Sequence, residues 1–477
     1  MSGPDIDMVA VARRVLEENG FVPDPPGGIE TMVPDVVDVR DLRSLPWSSI
    51  DNQDSLDLDQ LEYAEPVDDN RMRLLIAIAD VDALVPKGSP MDEHAARNTA
   101  SLYTGVRTFP MLPERLSNDR TSLLPERDRL AVVTEMIVHR DGSLDDGATT
   151  VYRGRVRNHA KLVYERVGAR LEGQRVEGPG QAVIDEQLAL QSRITSWLRK
   201  RRIDAGALEL DTIEARPIAK DGQIVDLQVI RKNRARELVE DLMIATNGAT
   251  ARFLERRVSS SIRRVVRAPK RWDRIVELAR VLGTDLPATP NVRALGEFVA
   301  KQRHEDPERF ADFSLTIVKL LGPGEYVLQR PTDPDSGHFG LAVDDYMHST
   351  APNRRYPDLV TQRLLKAASA GLPAPYTDDE LQQIAAHCTE RENALHKVER
   401  TLRKIAAAVL LKKRVGDRFD AIVTGVAQKG TFARLLRPPA EGRIIVGERG
   451  LDVGDRIKVT LVATDPQRGF IDLAVAH

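Results

Sequence analysis

The chain has a single cysteine, Cys388, among 477 residues, which excludes an intrachain disulfide and a cysteine-rich zinc site. Aromatic residues are sparse, 4% against 42% hydrophobic overall, the composition of an ordinary soluble protein. Nothing approaches a run of eighteen apolar residues, so no membrane-spanning helix is expected. The N-terminus, Met-Ser-Gly-Pro-Asp-Ile-Asp, is acidic and lacks the basic and apolar regions of a signal peptide. A strong charge of one sign is missing too. The net charge is −3, which does not announce a nucleic-acid binder. These absences leave a cytoplasmic enzyme of two or three domains, long enough to bury a substantial core.

What charge there is lies unevenly. Between Arg256 and Arg274 stand eight Arg or Lys residues against one acidic residue, Asp273. Other basic runs are Arg199-Lys200-Arg201-Arg202, residues 231–236, Arg354-Arg355 and residues 412–414. Such patches suit a groove for a polyanion or, run by run, solvated helix faces.

The most telling string is acidic. Asp51, Asp54, Asp57 and Asp59 fall within nine residues, followed by Gln60. Leu56, Leu58 and Leu61 argue that part of this string is packed, and in a strand Asp57 and Asp59 would share one face. Two carboxylates about 4 Å apart repel by roughly 4 kcal/mol at an effective dielectric near 20, so a converging set calls for a proton or a cation. Hard oxygen ligands suit Mg²⁺ or Mn²⁺, and the chemistry implied is metal-assisted phosphoryl transfer or hydrolysis. A solvated acidic loop is the competing account.

Along the chain, residues 8–19 read as a short amphipathic helix with Met8, Val11, Ala12, Val15 and Leu16 on one stripe and Asn19-Gly20 as its stop. Residues 46–156 read mainly as strands, with buried apolar runs at 74–79 and 131–138, the latter closed by Asp141-Gly142. A hairpin is expected from 208–213, the Asp221-Gly222 turn and 224–229. Helices are expected over 184–199, 234–255 and 273–282. Thr350-Ala351-Pro352 reads as the start of a helix, which would put Arg354 and Arg355 near its positive end, a favourable place for phosphate. Thr377-Asp378-Asp379-Glu380 is a capping box opening a long helix to about residue 413. Five short glycine-punctuated strands follow, a pattern that suits an OB-type barrel. The fold class is α+β: a mixed sheet surrounded by helices, then a small all-β barrel.

The order of these strings resembles the ribonuclease II / ribonuclease R family, built on the RNB catalytic domain. The strings are Ser49-Ile50-Asp51 with Asp57-Leu58-Asp59; Ala77-Ile78-Ala79-Asp80-Val81; Pro110-Met111-Leu112-Pro113-Glu114 with Leu116-Ser117; Ala160-Lys161-Leu162-Val163-Tyr164; Glu240-Asp241-Leu242-Met243-Ile244 with Asn247; and His338-Phe339-Gly340-Leu341, followed by residues 350–356. The tail resembles an S1-type RNA-binding domain. The resemblance implies residues 1–45 as a short helical leader, 46–413 as the catalytic domain with a long C-terminal helical stretch, and 414–477 as an S1-like OB domain.

It also implies processive 3′→5′ hydrolysis of single-stranded RNA to nucleoside 5′-monophosphates, with Mg²⁺ as the cofactor and Mn²⁺ as the alternative. Carried over by position, Asp51 and Asp57 would hold metal with Gln60 beside them, Asp59 would be the catalytic carboxylate, and Arg354 would neutralise charge on the phosphate. Tyr103 and Tyr164 would stack bases near the cleaved bond, Glu240 would contact the sugar, and Arg355, Leu210 and Phe432 would complete the RNA contacts. Phe419 is a second candidate in the tail, with barrel packing as its other reading. The expected partner is RNA with a free 3′ end, bound by a monomer.

Three departures stand out. Gln60 occupies the fourth acidic position of the family's Asp-x-Asp-Asp pattern and removes one negative charge. Leu210 stands where a Phe would clamp the terminal base against Tyr103. Only about 45 residues precede the catalytic part, without a counterpart of the family's cold-shock-type domains, so RNA should be held by the central channel and the barrel. The alternatives are a catalytically weak RNA-binding protein on the same fold, with Gln60 as the sign of decay, and a metal-dependent phosphodiesterase acting on DNA or short oligonucleotides.

Overall fold

A computed structural model of the chain describes residues 6–27, 39–174, 182–211, 214–220, 223–230, 232–257, 259–334, 337–427 and 430–476. In chain order the elements are α1 (Met8–Glu18), β1 (Arg40–Asp41), β2 (Ser48–Asp51), β3 (Gln60–Asp68), β4 (Arg71–Ala79), α2 (Pro90–Asn98), β5 (Leu102–Tyr103), β6 (Thr108–Phe109), β7 (Asp128–His139), β8 (Thr150–Arg157), β9 (Ala160–Val163), α3 (Tyr164–Leu171) and α4 (Ala182–Ala205). Then come β10 (Glu214–Lys220), β11 (Gln223–Ile230), α5 (Arg234–Arg256), β12 (Ser261–Val265), α6 (Trp272–Val281), α7 (Val292–Glu305), α8 (Phe310–Leu321), β13 (Glu325–Gln329), α9 (Tyr356–Ala370) and α10 (Asp378–Leu411). The tail is β14 (Arg418–Ala427), β15 (Gly430–Leu435), β16 (Glu441–Val446), β17 (Arg456–Asp465) and β18 (Phe470–Val475).

The central mixed sheet has the order β1-β8-β7-β4-β3-β2-β9. Its middle strand β4 explains the apolar run at 74–79. Leu75, Ala77 and Ala79 face a core shared with α9 and α10, while Leu74, Ile76 and Ile78 face a second core shared with α4 and α5. A strand covered on both faces reads as a continuous hydrophobic stretch instead of alternating. Burial on this scale, at roughly 25 cal/mol per Å² of apolar surface, makes the sheet the rigid floor on which loops at its edge are held.

Helix α1 is capped by Asp7, whose carboxylate accepts from the N–H groups of Val9 and Ala10. Its Ala12, Val15 and Leu16 pack with Leu395, Val398 and Leu402 of α10. The capping box at Thr377 and Glu380 is present with both reciprocal bonds. Strands β14 to β18 close a barrel in the order β14-β15-β16-β18-β17. Its core, including Phe419, Val423, Leu435, Ile444 and Leu473, is stopped at one end by Ala407, Ala408 and Leu411 of α10.

Four expectations are corrected. The hairpin lies at β10 and β11, later than 208–213, because Leu208 and Leu210 pack into the cluster of α6, α7 and α8 instead; its Asp221-Gly222 turn lies outside the described residues. The helix expected at 350 begins at Tyr356. Asp358 Oδ1 accepts from the N–H groups of both Thr350 and Ala351 at 2.9 Å, holding 350–355 as a compact turn. The segment 52–59 is an irregular loop between β2 and β3. Within it Leu56 is 54% exposed, so only Leu58 and Leu61 are packed.

Candidate active site

The loop between β2 and β3 hangs over the sheet edge and is stapled from three sides. Ser122 does two jobs: its hydroxyl accepts from the Leu58 N–H at 3.0 Å and donates to the Leu56 carbonyl at 2.5 Å. The Leu123 N–H donates to the Leu58 carbonyl at 3.0 Å. From β9, the Lys161 ammonium donates to the carbonyls of Gln53 (2.9 Å) and Ser55 (2.5 Å). Pinned this way, the loop turns its carboxylates into a cavity of about 600 Å³.

Asp51, Asp54, Asp57, Asp59 and Gln60 all line that cavity, together with Tyr103, Tyr164 and Arg354. Asp54, Asp57 and Asp59 come from the loop itself, and the others are brought by separate elements. Asp51 ends β2, Gln60 begins β3, Tyr103 ends β5 and Tyr164 begins α3. Arg354 comes from the turn before α9. Helix α5 adds Arg236, Val239 and Met243, a spacing of three and four that shares one helix face. Gly105, at φ +80°, lets the turn after Tyr103 pass so close to Pro217 that a Cβ there would strike its carbonyl oxygen. Pro217 itself lines the cavity.

Asp51, Asp57, Asp59, Arg236 and Arg354 each have a protein partner. Arg354 Nε donates to Asp59 Oδ2 at 3.0 Å, and the Asn353 N–H donates to Asp59 Oδ1 at 3.2 Å. The Tyr103 hydroxyl donates to Asp57 Oδ2 at 2.5 Å. Asp51 Oδ1 accepts from the Ser55 hydroxyl at 2.7 Å and the Asn52 N–H at 2.6 Å. The Arg236 guanidinium lies 4.2 Å from the Tyr164 ring centroid and donates to Asn52 at 3.0 Å. Burial pushes the Asp59 carboxyl up to about 7, against the pull of Arg354 and with the help of neighbouring Asp57. Burial also raises Asp51, the Ser55 and Asn52 hydrogen bonds opposing it and the charge of Asp57 adding to it.

With these partners engaged, no group of three or more His, Cys, Asp or Glu side chains among the described residues is gathered closely enough to hold a metal ion. The donor set nevertheless suits one in kind and place. Four aspartate carboxylates and the Gln60 amide oxygen line one cavity, and Asp57 repels both Asp51 and Asp59. Hard oxygen donors under mutual repulsion are the ligand type of Mg²⁺ and Mn²⁺.

Four of the expected site residues are not among those lining the cavity. Leu210 packs against the α6–α8 cluster. Glu240 follows Arg236 by one turn of α5, yet it does not line the cavity and pairs with Lys232 at 2.8 Å. Arg355 turns back onto Asp358 at 2.7 Å, an N-terminal lock for α9. Phe432 is half-buried on β15, where Thr431, Ala433 and Leu435 face inward, so its ring is on the barrel's outer side. Phe419 belongs to the barrel core. Conversely, no pattern in the sequence marks Ser122 or Ser55, while Asn353 and Lys161 sit inside recognised strings and Arg236 ends the basic run 231–236 with no role given to any of them; only the fold reveals their partners.

Residues 39–371 match the RNB domain family. The chain belongs to it. Residues 417–476 match the RNase II-type exonuclease C-terminal S1 domain. Ribonuclease R 1 of Lactococcus lactis subsp. lactis (strain IL1403) is 27% identical over 491 residues, covering 96% of this chain and 58% of that protein. The chain spans 57–58% of the length of the first curated relatives it matches. Among solved structures, the apo form of Mycoplasma genitalium RNase R superposes with a TM-score of 0.88 at 22% identity, covering 98% of this chain and 78% of that one. Yeast Ssd1, a pseudonuclease, superposes with a TM-score of 0.72 at 15% identity, covering 91% of this RNB-family chain and 55% of that one. At such identities the likeness is one of fold, and catalysis has to be argued from the cavity.

Proposed function

We propose that this RNB-family chain hydrolyses single-stranded RNA processively from a free 3′ end and releases nucleoside 5′-monophosphates, using Mg²⁺ or Mn²⁺. The observation that carries this reading is the meeting of Asp59 and Arg354 in a cavity that Asp51, Asp57, Tyr103 and Tyr164 also line. A degenerate site has no physical need to keep a carboxylate with 1% exposure, since an unneeded buried charge costs stability. That favours an enzyme over an RNA-binding protein that has lost its chemistry.

Asp51 and Asp57, with the amide oxygen of Gln60, would hold the metal. When bound it would polarise the scissile phosphate and lower the pKa of the attacking water. Asp59 orients that water from the buried end of the cavity. Arg354, 43% exposed at its side chain, reaches the phosphate and offsets charge as the 3′-oxygen leaves. Tyr103 and Tyr164 offer rings to the terminal bases, and stacking accepts any base. Phe432, outward on the barrel, is a stacking surface for RNA further upstream. We assign 1–45 as a docking leader, 46–413 as the catalytic domain and 414–477 as the RNA-binding barrel. One chain supplies every residue named, so a monomer suffices. No helix among the described residues is long and apolar enough to cross a membrane, in keeping with a cytoplasmic site of action.

The test uses a 5′-labelled single-stranded RNA, purified protein and Mg²⁺, with Asp59→Asn and EDTA as controls. Conversion of full-length RNA into one short 5′-labelled product, absent in both controls, supports the reading. Intact but gel-shifted RNA would show binding without cleavage and overturn it. Equal degradation of a matched DNA oligomer would overturn the RNA specificity.

A further inference from the structure

A second cavity, of about 470 Å³, shares a stretch of chain with the catalytic one. Ser117 and Asn118 line the catalytic cavity, and Arg120 and Thr121 line the second. Two ties run from the second cavity into the catalytic centre. The Thr121 hydroxyl donates to Asn353 Oδ1 at 2.5 Å, and the Asn353 N–H donates to Asp59. Arg129, which also lines the second cavity, donates from Nε to the Ser122 carbonyl at 2.9 Å, and the Ser122 hydroxyl staples the acidic loop.

The lining combines charge with apolar surface: Arg120, Arg127 and Arg129 beside Ala83, Leu84 and Leu130. Its three carboxylates are already neutralised. Arg153 and Lys366 hold Asp80 at 3.0 and 2.9 Å, and Arg43 and Arg157 hold Asp128 at 2.8 and 2.6 Å. None of these four cations lines the cavity. Asp119 pairs with Arg129 at 3.4 Å. That leaves Arg127, whose side chain makes no hydrogen bond or ion pair among the described residues, as surplus positive charge. Burial already lowers the pKa of Arg129, and the charges of Arg127 and Arg120 press it down further while Asp119 opposes them. Like charges gathered in one cavity call for an ion of the other sign. The planar guanidinium fork fits phosphate oxygens. The volume falls within the roughly 300–1,000 Å³ of small-molecule pockets, which leaves room for an apolar body on Leu84 and Leu130.

We propose that this cavity is a second binding site, for a nucleoside 5′-monophosphate, with Arg127 on the phosphate and Leu84 and Leu130 against the nucleoside. An occupant bears on Arg129 and Thr121, and through them on the acidic loop, so released product slows cleavage. The site stands on its own residues, and only this feedback rests on the proposed hydrolysis.

The test is equilibrium dialysis of radiolabelled adenosine 5′-monophosphate against the full chain in EDTA, with melting temperature followed in parallel. Arg127 is exposed, so Arg127→Glu is expected to melt with the wild type and to weaken binding by about tenfold or more, the loss of one charge-assisted contact. Should it melt lower, Arg127→Ala carries the same expectation. Arg354→Ala, altered in the catalytic cavity, is expected to bind as the wild type does. No binding by the wild type, or equal binding by wild type and Arg127→Glu, overturns the proposal. Binding lost in Arg354→Ala instead places the nucleotide in the catalytic cavity and overturns it too. Inorganic phosphate that competes as well as the nucleotide overturns the nucleoside half. For the feedback, adenosine monophosphate is expected to slow cleavage of labelled RNA by the wild type and not by Arg127→Glu, and equal slowing of both overturns it. Absence of any cleavage sinks the hydrolysis reading and the feedback with it, while the dialysis still decides the site.

Discussion

Arg354 and Asp59 stand 295 positions apart in the chain and 3.0 Å apart in space, guanidinium Nε on carboxylate Oδ2. The neighbouring Asn353 N–H takes the other oxygen, so one turn before α9 supplies both donors. The floor of the cavity is therefore joined from two distant parts of the sequence.

This relationship makes Arg354 a test of the chemistry and not of the fold. Arg354→Lys keeps the charge but loses the planar fork, and Arg354→Ala loses both. Single-turnover cleavage should fall by about 10²–10³ in the alanine variant, the usual effect of removing one donor to a developing charge, with RNA affinity changed far less. Equal losses in rate and affinity would make Arg354 a binding contact only.

The fold was legible where one physical demand dominates. The run at 74–79 reads as a strand because both faces of β4 are covered, and Thr377 with Glu380 satisfies orphan N–H groups in a pattern visible from spacing alone. The acidic loop was legible because its carboxylates are neighbours in the chain. The pairing with Arg354 was not, since nothing local ties position 59 to position 354; only the resemblance suggested it. Leu210 shows the opposite failure. An apolar residue in a strand-like pattern was drawn into the α6–α8 cluster, and side-chain packing overrode the period. Asp358 moved the start of α9 by capturing two upstream N–H groups, a competition that no capping rule anticipates.

Ser122 holds the loop without touching the cavity chemistry. Ser122→Ala leaves the buried Leu58 N–H without its acceptor, a loss of about 1–3 kcal/mol. Urea unfolding should register it, and cleavage should slow as the carboxylates lose their fixed position. A variant with lowered stability and unchanged rate would show that the Lys161 and Leu123 staples suffice.

Tyr103 separates a ring from a hydroxyl. Tyr103→Phe removes the bond to Asp57 and keeps the stacking face; Tyr103→Ala removes both. If the ring holds the terminal base, binding of a short RNA should weaken by about 1–3 kcal/mol in the alanine variant and little in the phenylalanine one, measured by fluorescence anisotropy in EDTA. Equal weakening in both variants would trace the effect to Asp57.

His338 opens the Phe339–Leu341 turn, where its Nδ1 accepts from the Leu341 N–H at 3.2 Å. Burial, with the charge of Arg264 adding to it, holds the imidazole down at about 4. Protonation would also remove the acceptor the turn uses. The unfolded value is near 6.5, so between these values the unfolded chain binds the proton and the folded one does not. The contribution is complete above pH 6.5 and is lost as pH falls toward 4, amounting to about 3 kcal/mol at most. His338→Asn keeps an acceptor for Leu341 and cannot titrate. Chemical denaturation at pH 5 and pH 7.5 should show wild-type stability dropping more between the two than the variant's. Parallel losses in both proteins would mean that His338 takes up its proton without disturbing the turn.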